Sequence, residues 1–311
     1  MILNIVFILA GIVLVLWGAD RLTDGAVALA ERMNIPQIVI GLTIVAMGTS
    51  MPEFCVSLVS ALKGTPDLAV GNIVGSNIFN SLLIVGVAAM VTPMTILHST
   101  VKKDIPFALV AAVVLLMMCM DGNISRIDAG ILLALLAIFM YVTLKEAKGE
   151  NGATKEANRH PMNVWKAIGF LLLGLVCLIV GSNIFVDGAT NVAHTLGVSD
   201  AVIGLTIVAG GTSLPELATS VVSARKGQSG IAIGNVLGSN VFNILAILGL
   251  TGIISPMIIQ GITTTDLSVM VVAMIMLWLF SFTKYTIARW EGAILTATFV
   301  GYLSYLLYQV V

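Results

Sequence analysis

One stretch of 46 residues occurs twice in this chain. Residues 41 to 86 read GLTIVAMGTSMPEFCVSLVSALKGTPDLAVGNIVGSNIFNSLLIVG and residues 204 to 249 read GLTIVAGGTSLPELATSVVSARKGQSGIAIGNVLGSNVFNILAILG. At a constant offset of 163 the blocks agree at 28 of 46 positions without a gap. Self-similarity at a fixed offset requires two like units to be built and packed together. The match extends outward, because Gly11, Gly18, Asp24 and Gly25 align with Gly174, Gly181, Asp187 and Gly188, and Thr92-Pro93 with Ser255-Pro256.

The medium in which these units fold follows from composition. Hydrophobic residues make up 58% of the chain and charged residues 10%, against about 25% charged in an ordinary soluble domain. This predicts an all-α membrane protein. A spanning helix needs about 20 mostly apolar residues. That rule gives ten transmembrane helices, near 2 to 19, 36 to 61, 67 to 91, 104 to 121, 127 to 145, 164 to 183, 200 to 224, 228 to 254, 265 to 283 and 290 to 309. The polar stretch between Lys145 and Lys166 reads as a solvated linker. The expected organisation is therefore a first five-helix repeat over 1–146, a cytoplasmic linker over 147–163 and a second five-helix repeat over 164–311.

Lysine and arginine placement sets the expected orientation. With the N-terminus outside, thirteen basic residues fall on one face and only Lys63 and Arg126 on the other. Both termini are thus expected outside and the linker in the cytoplasm, in a cell (inner) membrane. Five is odd, so the second unit enters the bilayer in the opposite sense, giving two inverted repeats about an axis in the membrane plane.

Within each block a lone glutamate, Glu53 or Glu216, stands in an apolar run behind Gly-Thr-Ser and a proline. An ionised carboxylate near the midplane costs at least several kcal/mol unless paired or coordinated. The basic residues lie in loops and helix ends, so a mobile cation is the expected counter-charge. Pro52 and Pro215 remove a backbone donor and free carbonyl oxygens around Ala46 to Ser50 and Ala209 to Ser213. Helical spacing puts Thr49, Ser50 and Glu53 on one face, and likewise Thr212, Ser213 and Glu216.

The following helices carry polar stripes at every fourth residue: Asn72, Ser76 and Asn80, then Asn235, Ser239 and Asn243. Oxygen donors without a His or Cys cluster favour Ca²⁺, Na⁺ or related ions over zinc or copper. Two carboxylates balance the charge of one Ca²⁺, and Na⁺ can compete for the same oxygens.

These motifs, GTSMPE and GTSLPE followed by GNIVGSNIFN and GNVLGSNVFN, resemble the two alpha-repeats of the calcium/cation antiporter superfamily, and in particular its prokaryotic sodium/calcium exchangers. The resemblance covers nearly the whole chain. It implies a ten-helix inverted-repeat fold with transported Ca²⁺ and Na⁺ bound at a central site, and no other cofactor. By position it implies Glu53 and Glu216 as acidic ligands. Thr49, Ser50, Thr212, Ser213, Ser76 and Ser239 supply oxygens, Ala46 and Ala209 offer main-chain carbonyls, and Asn80 and Asn243 complete the ring. Some relatives have aspartate at one or both of the last two positions, where this chain has asparagine at both.

The expected activity is Na⁺/Ca²⁺ antiport by alternating access, with H⁺/Ca²⁺ or K⁺-dependent Na⁺/Ca²⁺ antiport as the alternative. A channel would reuse a filter around a subunit ring, whereas both halves of this site lie in one chain. No Ser-His, Cys-His or metal-binding histidine motif suggests an enzyme. Neither nucleic acid nor an obligatory protein partner is implied, only the lipid bilayer and the two ions. Cys55, Cys119 and Cys177 read as small buried apolar residues, and His98, His160 and His194 as surface residues. Trp17, Trp165, Trp278 and Trp290 read as headgroup anchors, the methionines as apolar packing, and Asp24 and Asp187 as structural acids near helix ends.

Overall fold

Buried and exposed residues are arranged inside out. In the computed structural model, which describes residues 1–149, 162–198 and 200–310, Leu3, Val13, Leu16, Leu172 and Val176 are exposed while Glu53, Glu216, Asn80 and Asn243 are buried. Apolar side chains on the outside suit a lipid solvent, and backbone groups there must be satisfied within each helix. The chain is accordingly helical almost throughout. Its elements are α1 (Ile2–Met33), α2 (Gln37–Thr49), α3 (Met51–Leu62), α4 (Pro66–Val91), α5 (Ile105–Cys119) and α6 (Arg126–Gly149), followed by α7 (Val164–Thr195), α8 (residues 200–212), α9 (Leu214–Arg225), α10 (Ser229–Ile254), α11 (Thr264–Ser281) and α12 (Arg289–Val310).

Six helices among the described residues are long and apolar enough to cross a membrane: α1, α4, residues 126–145 of α6, α7, α10 and α11. The pair α2 and α3, bent by 47°, makes a seventh if it is one span. The expected spans at 104 to 121, 200 to 224 and 290 to 309 are helical but fall outside that set. The helices at the expected spans 2 to 19 and 164 to 183, α1 and α7, are longer than expected. Asp20, Arg21 and Asp24 suggested an exit from the membrane near residue 19, but α1 continues to Met33, where Asn34 in the left-handed region (φ 52) turns its N–H back to the Ala30 and Glu31 carbonyls. The equivalent α7 continues to Thr195 instead of stopping near 183.

These two helices pack against each other along their length. Glycines let them approach so closely that a Cβ on Gly18 would lie 2.9 Å from the Gly174 carbonyl oxygen, and one on Gly11 2.7 Å from that of Gly181. Since Gly11, Gly18 and Gly25 meet Gly181, Gly174 and Ala167 in turn, α1 and α7 run antiparallel.

Two short antiparallel ladders join loops across the halves. β1 (Met94–Thr95) pairs with β4 (Thr286–Ile287), and β2 (Asn123–Ile124) with β3 (Met257–Ile258). Arg126 donates to the Ile253 carbonyl beside the second ladder. The Asp67 carboxylate accepts from the Gln260 and Gly261 amides. Residues 150–161 of the expected linker, His160 among them, lie outside the described residues.

Candidate cation site

Each half builds its part of the site from one break and one unbroken helix. Residues Gly41–Val45 are wound as a π-helix, and Ser50 (φ −82, ψ 7) then leaves the helical path, so that α3 restarts with Pro52 in its first turn. Proline has no N–H to return to the preceding turn. The second half repeats this with the π-helix Gly204–Val208, Ser213 (φ −90, ψ 8) and Pro215. The carboxylates of Glu53 and Glu216, each 1% exposed, therefore sit on the first turn of α3 and α9, at the centre of the bundle.

The halves exchange contacts. Ser213 of the second half donates to Glu53 Oε1 at 3.0 Å, and Ser50 of the first half donates to Glu216 Oε1 at 3.1 Å. Within each half, Ser76 approaches Glu53 Oε1 at 3.5 Å and Ser239 approaches Glu216 Oε1 at 3.4 Å. Ser213 also lies 3.2 Å from Ser76, and Thr49 lies 3.5 Å from Ser239. Thr49 and Thr212 stand at the same place in the two breaks, one residue ahead of Ser50 and Ser213.

Asparagines brace the backbone at both breaks. Asn72 Nδ2 donates to the Glu53 carbonyl at 3.2 Å and to Ser57 at 3.0 Å, and Asn235 Nδ2 does the same to the Glu216 carbonyl at 3.2 Å and Ser220 at 3.0 Å. Thr49 donates to Asn235 Oδ1 at 3.0 Å. The Ala46 carbonyl accepts the Ser50 N–H at 3.0 Å and lies 3.3 Å from the Thr49 hydroxyl, and Ala209 opens the equivalent turn.

Several buried atoms have no hydrogen-bond partner in the protein: Glu53 Oε2, Glu216 Oε2, Asn80 Oδ1, and both side-chain polar atoms of Asn243. Orphaned polar atoms at that depth cost about 1–3 kcal/mol each, more when charged. Among the described residues no Lys or Arg forms an ion pair with either glutamate, and no three His, Cys, Asp or Glu side chains converge. Carboxylate, hydroxyl and amide oxygens without soft donors match a hard cation.

Sequence reasoning missed part of the constellation. A four-residue stripe passes over Asn77 and Asn240, yet both are buried, and Asn240 hydrogen-bonds Asn80 at 3.1 Å. Their presence in both GSN triplets was the available signal. Met270 and Met274 were expected only to fill space, but their sulfurs accept hydrogen bonds from Asn77 and Ser81. Trp278 is not a free headgroup anchor, since its indole donates to the Val101 carbonyl at 2.9 Å, and Trp17 stands midway along α1. Of the cysteines, Cys177 is buried, Cys119 partly so and Cys55 exposed, contrary to expectation, because its face of α3 points outward. Asp24 pairs with Lys226 at 2.7 Å, whereas its counterpart Asp187 is exposed and forms no ion pair among the described residues.

Helices that present apolar faces outward and enclose two buried carboxylates with no Lys or Arg partner among the described residues point to a membrane transporter of cations. Residues 3–145 and 166–308 both match the family described as sodium/calcium exchanger protein, and the chain belongs to that family of cation antiporters. It is 39% identical to the putative antiporter CaxA of Alkalimonas amylolytica, over 99% of this chain and 100% of that protein. With the sodium/calcium exchanger MaX1 of Methanosarcina acetivorans it shares 32% identity, over 98% and 99% of the two chains. Its structure is similar to that of the sodium-calcium exchanger NCX_Mj soaked with 2.5 mM Na⁺ and 0.1 mM Ca²⁺, with a TM-score of 0.86, 31% identity and 98% of each chain covered.

Proposed function

We propose that this protein exchanges Na⁺ for Ca²⁺ by alternating access, with both ions bound in turn at the cage around Glu53 and Glu216. The observation that carries this reading is the set of buried oxygens without partners, Glu53 Oε2, Glu216 Oε2, Asn80 Oδ1 and Asn243 Oδ1, which a divalent cation or several sodium ions would satisfy together. Thr49, Ser50, Thr212, Ser213, Ser76 and Ser239 add hydroxyl oxygens, and Ala46 and Ala209 main-chain carbonyls. Calcium takes about 6–8 oxygens at roughly 2.3–2.6 Å, a number this set can supply.

Obligatory exchange follows from electrostatics. Two like charges in a dry site oppose closure of the empty cage, whereas a bound cation removes that penalty. The sodium/calcium exchangers among its relatives support sodium as the counter-ion. Ten spans in two inverted units, 1–146 and 164–311, accommodate the antiparallel α1 and α7. In that topology each ladder joins loops on the same side of the membrane, β1–β4 inside and β2–β3 outside.

The test is ⁴⁵Ca²⁺ uptake into proteoliposomes containing purified protein. An outward sodium gradient at fixed pH, with no potassium, should drive uptake, and Glu53→Gln or Glu216→Gln should reduce it at least 100-fold while the protein stays folded. Uptake that follows an imposed pH gradient and ignores sodium would assign the coupling ion as H⁺, and uptake that requires potassium would make K⁺ a co-substrate. Undiminished flux in either glutamine variant would remove the cage from the mechanism.

A further inference from the structure

The two cage asparagines occupy equivalent positions but unequal surroundings. Asn80 Nδ2 donates to Asn240 Oδ1 at 3.1 Å; Asn240 Nδ2 donates to Ser81 Oγ at 2.8 Å and approaches Met274 Sδ at 3.3 Å; Ser81 Oγ donates to Met274 Sδ at 3.1 Å. Asn80, Ser81 and Asn240 are all buried. A thioether carries no proton and can only accept. Met274 therefore sets the polarity of the whole chain. Ser81 spends its hydrogen on sulfur and must accept from Asn240, whose oxygen is thus turned to Asn80. The Asn80 amide nitrogen is engaged, and its oxygen is left without a partner.

The second half lacks this arrangement. Ile244 stands where Ser81 would be, Asn77 Nδ2 makes only a 3.9 Å contact to Met270 Sδ, and both polar atoms of Asn243 are unengaged. We propose that Met274, Ser81 and Asn240 are positioning residues that lock Asn80 with its oxygen toward the cation, making it the rigid amide ligand and Asn243 the adaptable one. This rests on the cage being the cation site.

The test is Ca²⁺ binding to purified protein in sodium-free buffer, read by calorimetry alongside thermal unfolding. Met274→Leu conserves volume and Ser81→Ala removes the relay hydroxyl. Each should weaken Ca²⁺ binding about tenfold, the scale of one hydrogen bond to a charged group, while a single cooperative unfolding transition is retained. A carboxylate presents oxygen whichever way it rotates, so in an Asn80→Asp background the same two changes should alter Kd less than twofold. Equal losses in both backgrounds would mean packing and overturn the relay. Unaltered binding in the single variants would overturn it too, leaving the cage intact. Failure of the unaltered protein to bind Ca²⁺ would overturn both.

A separate observation concerns the ends of α1 and α7. Lys226, just after α9, pairs with Asp20 at 2.6 Å and Asp24 at 2.7 Å on α1, and Thr23 and Ser223 share a hydrogen bond of 2.9 Å beside them. The offset of 163 carries Asp24 and Lys226 onto Asp187 and Lys63. Both of those are exposed, and among the described residues neither forms an ion pair. We infer that Asp24–Lys226 and Asp187–Lys63 are alternate latches, the first closed in this structure and the second closed when the site opens to the opposite face. This also rests on alternating access. In a background of Cys55→Ala, Cys119→Ala and Cys177→Ala, the pairs Asp24→Cys/Lys226→Cys and Lys63→Cys/Asp187→Cys should each accept a short reducible bismaleimide-type bridge that stops transport until cleaved. The four-cysteine protein should form one bridge per molecule. Two bridges in one molecule, no bridge at Lys63/Asp187, or full transport while bridged would overturn the latches. Loss of sodium-driven flux in the unbridged cysteine-free protein would instead count against the exchange reading.

Discussion

At the scale of single residues, the site depends on serines that serve the opposite half. Ser213 holds Glu53 and Ser50 holds Glu216, so removing one hydroxyl affects both repeats. Hydrogen bonds to charged groups contribute about 1.5–3 kcal/mol. Ser50→Ala and Ser213→Ala should each raise the half-saturating Ca²⁺ concentration for ⁴⁵Ca²⁺ uptake roughly tenfold, and by similar factors; a large difference between them would show that the cage is not shared equally. The glutamates and their hydroxyl neighbours were legible in the sequence because a charge in an apolar run has so few explanations. The relay was not. Its members Ser81, Asn240 and Met274 come from two helices of different halves and a third helix beyond them, and only packing brings them together.

At the scale of elements, the sequence located the breaks correctly because Pro52 and Pro215 mark them, but it could not supply the π-helical turns ahead of them. Those turns insert a residue without changing composition, and their wide rings leave no pattern in hydropathy. Helix length was misread for a related reason. Asp20 and Asp24 look like a membrane exit until Lys226 is seen beside them. The glycines at the α1–α7 contact make a direct prediction. A Cβ at Gly174 would lie 2.7 Å from the Gly18 carbonyl oxygen and from Leu22. Gly174→Leu should therefore force the two helices apart, costing about 1–3 kcal/mol, seen as a lower unfolding midpoint in detergent and slower exchange. Substituting Gly169, with open space around its Cβ position, should leave both close to wild type.

At the scale of the molecule, the duplication led to the expectation of an inverted second unit, and the antiparallel pairing of α1 and α7 agrees with that expectation. It did not foretell how the halves are fastened. The proposed orientation can be checked by labelling intact cells: a cysteine in place of Lys63 or Arg126 should react with an impermeant maleimide, and one in place of Lys284 should react only after permeabilisation. Reaction of Lys284→Cys from outside would invert the topology. The two ladders carry a further consequence. Both β1–β4 and β2–β3 cross from one half to the other, as do the serine contacts in the cage, so the halves are fastened to each other by contacts that need no peptide bond between them. Cells producing residues 1–149 and 162–311 as separate polypeptides should assemble a working transporter from the two, whereas either polypeptide alone should carry no ions.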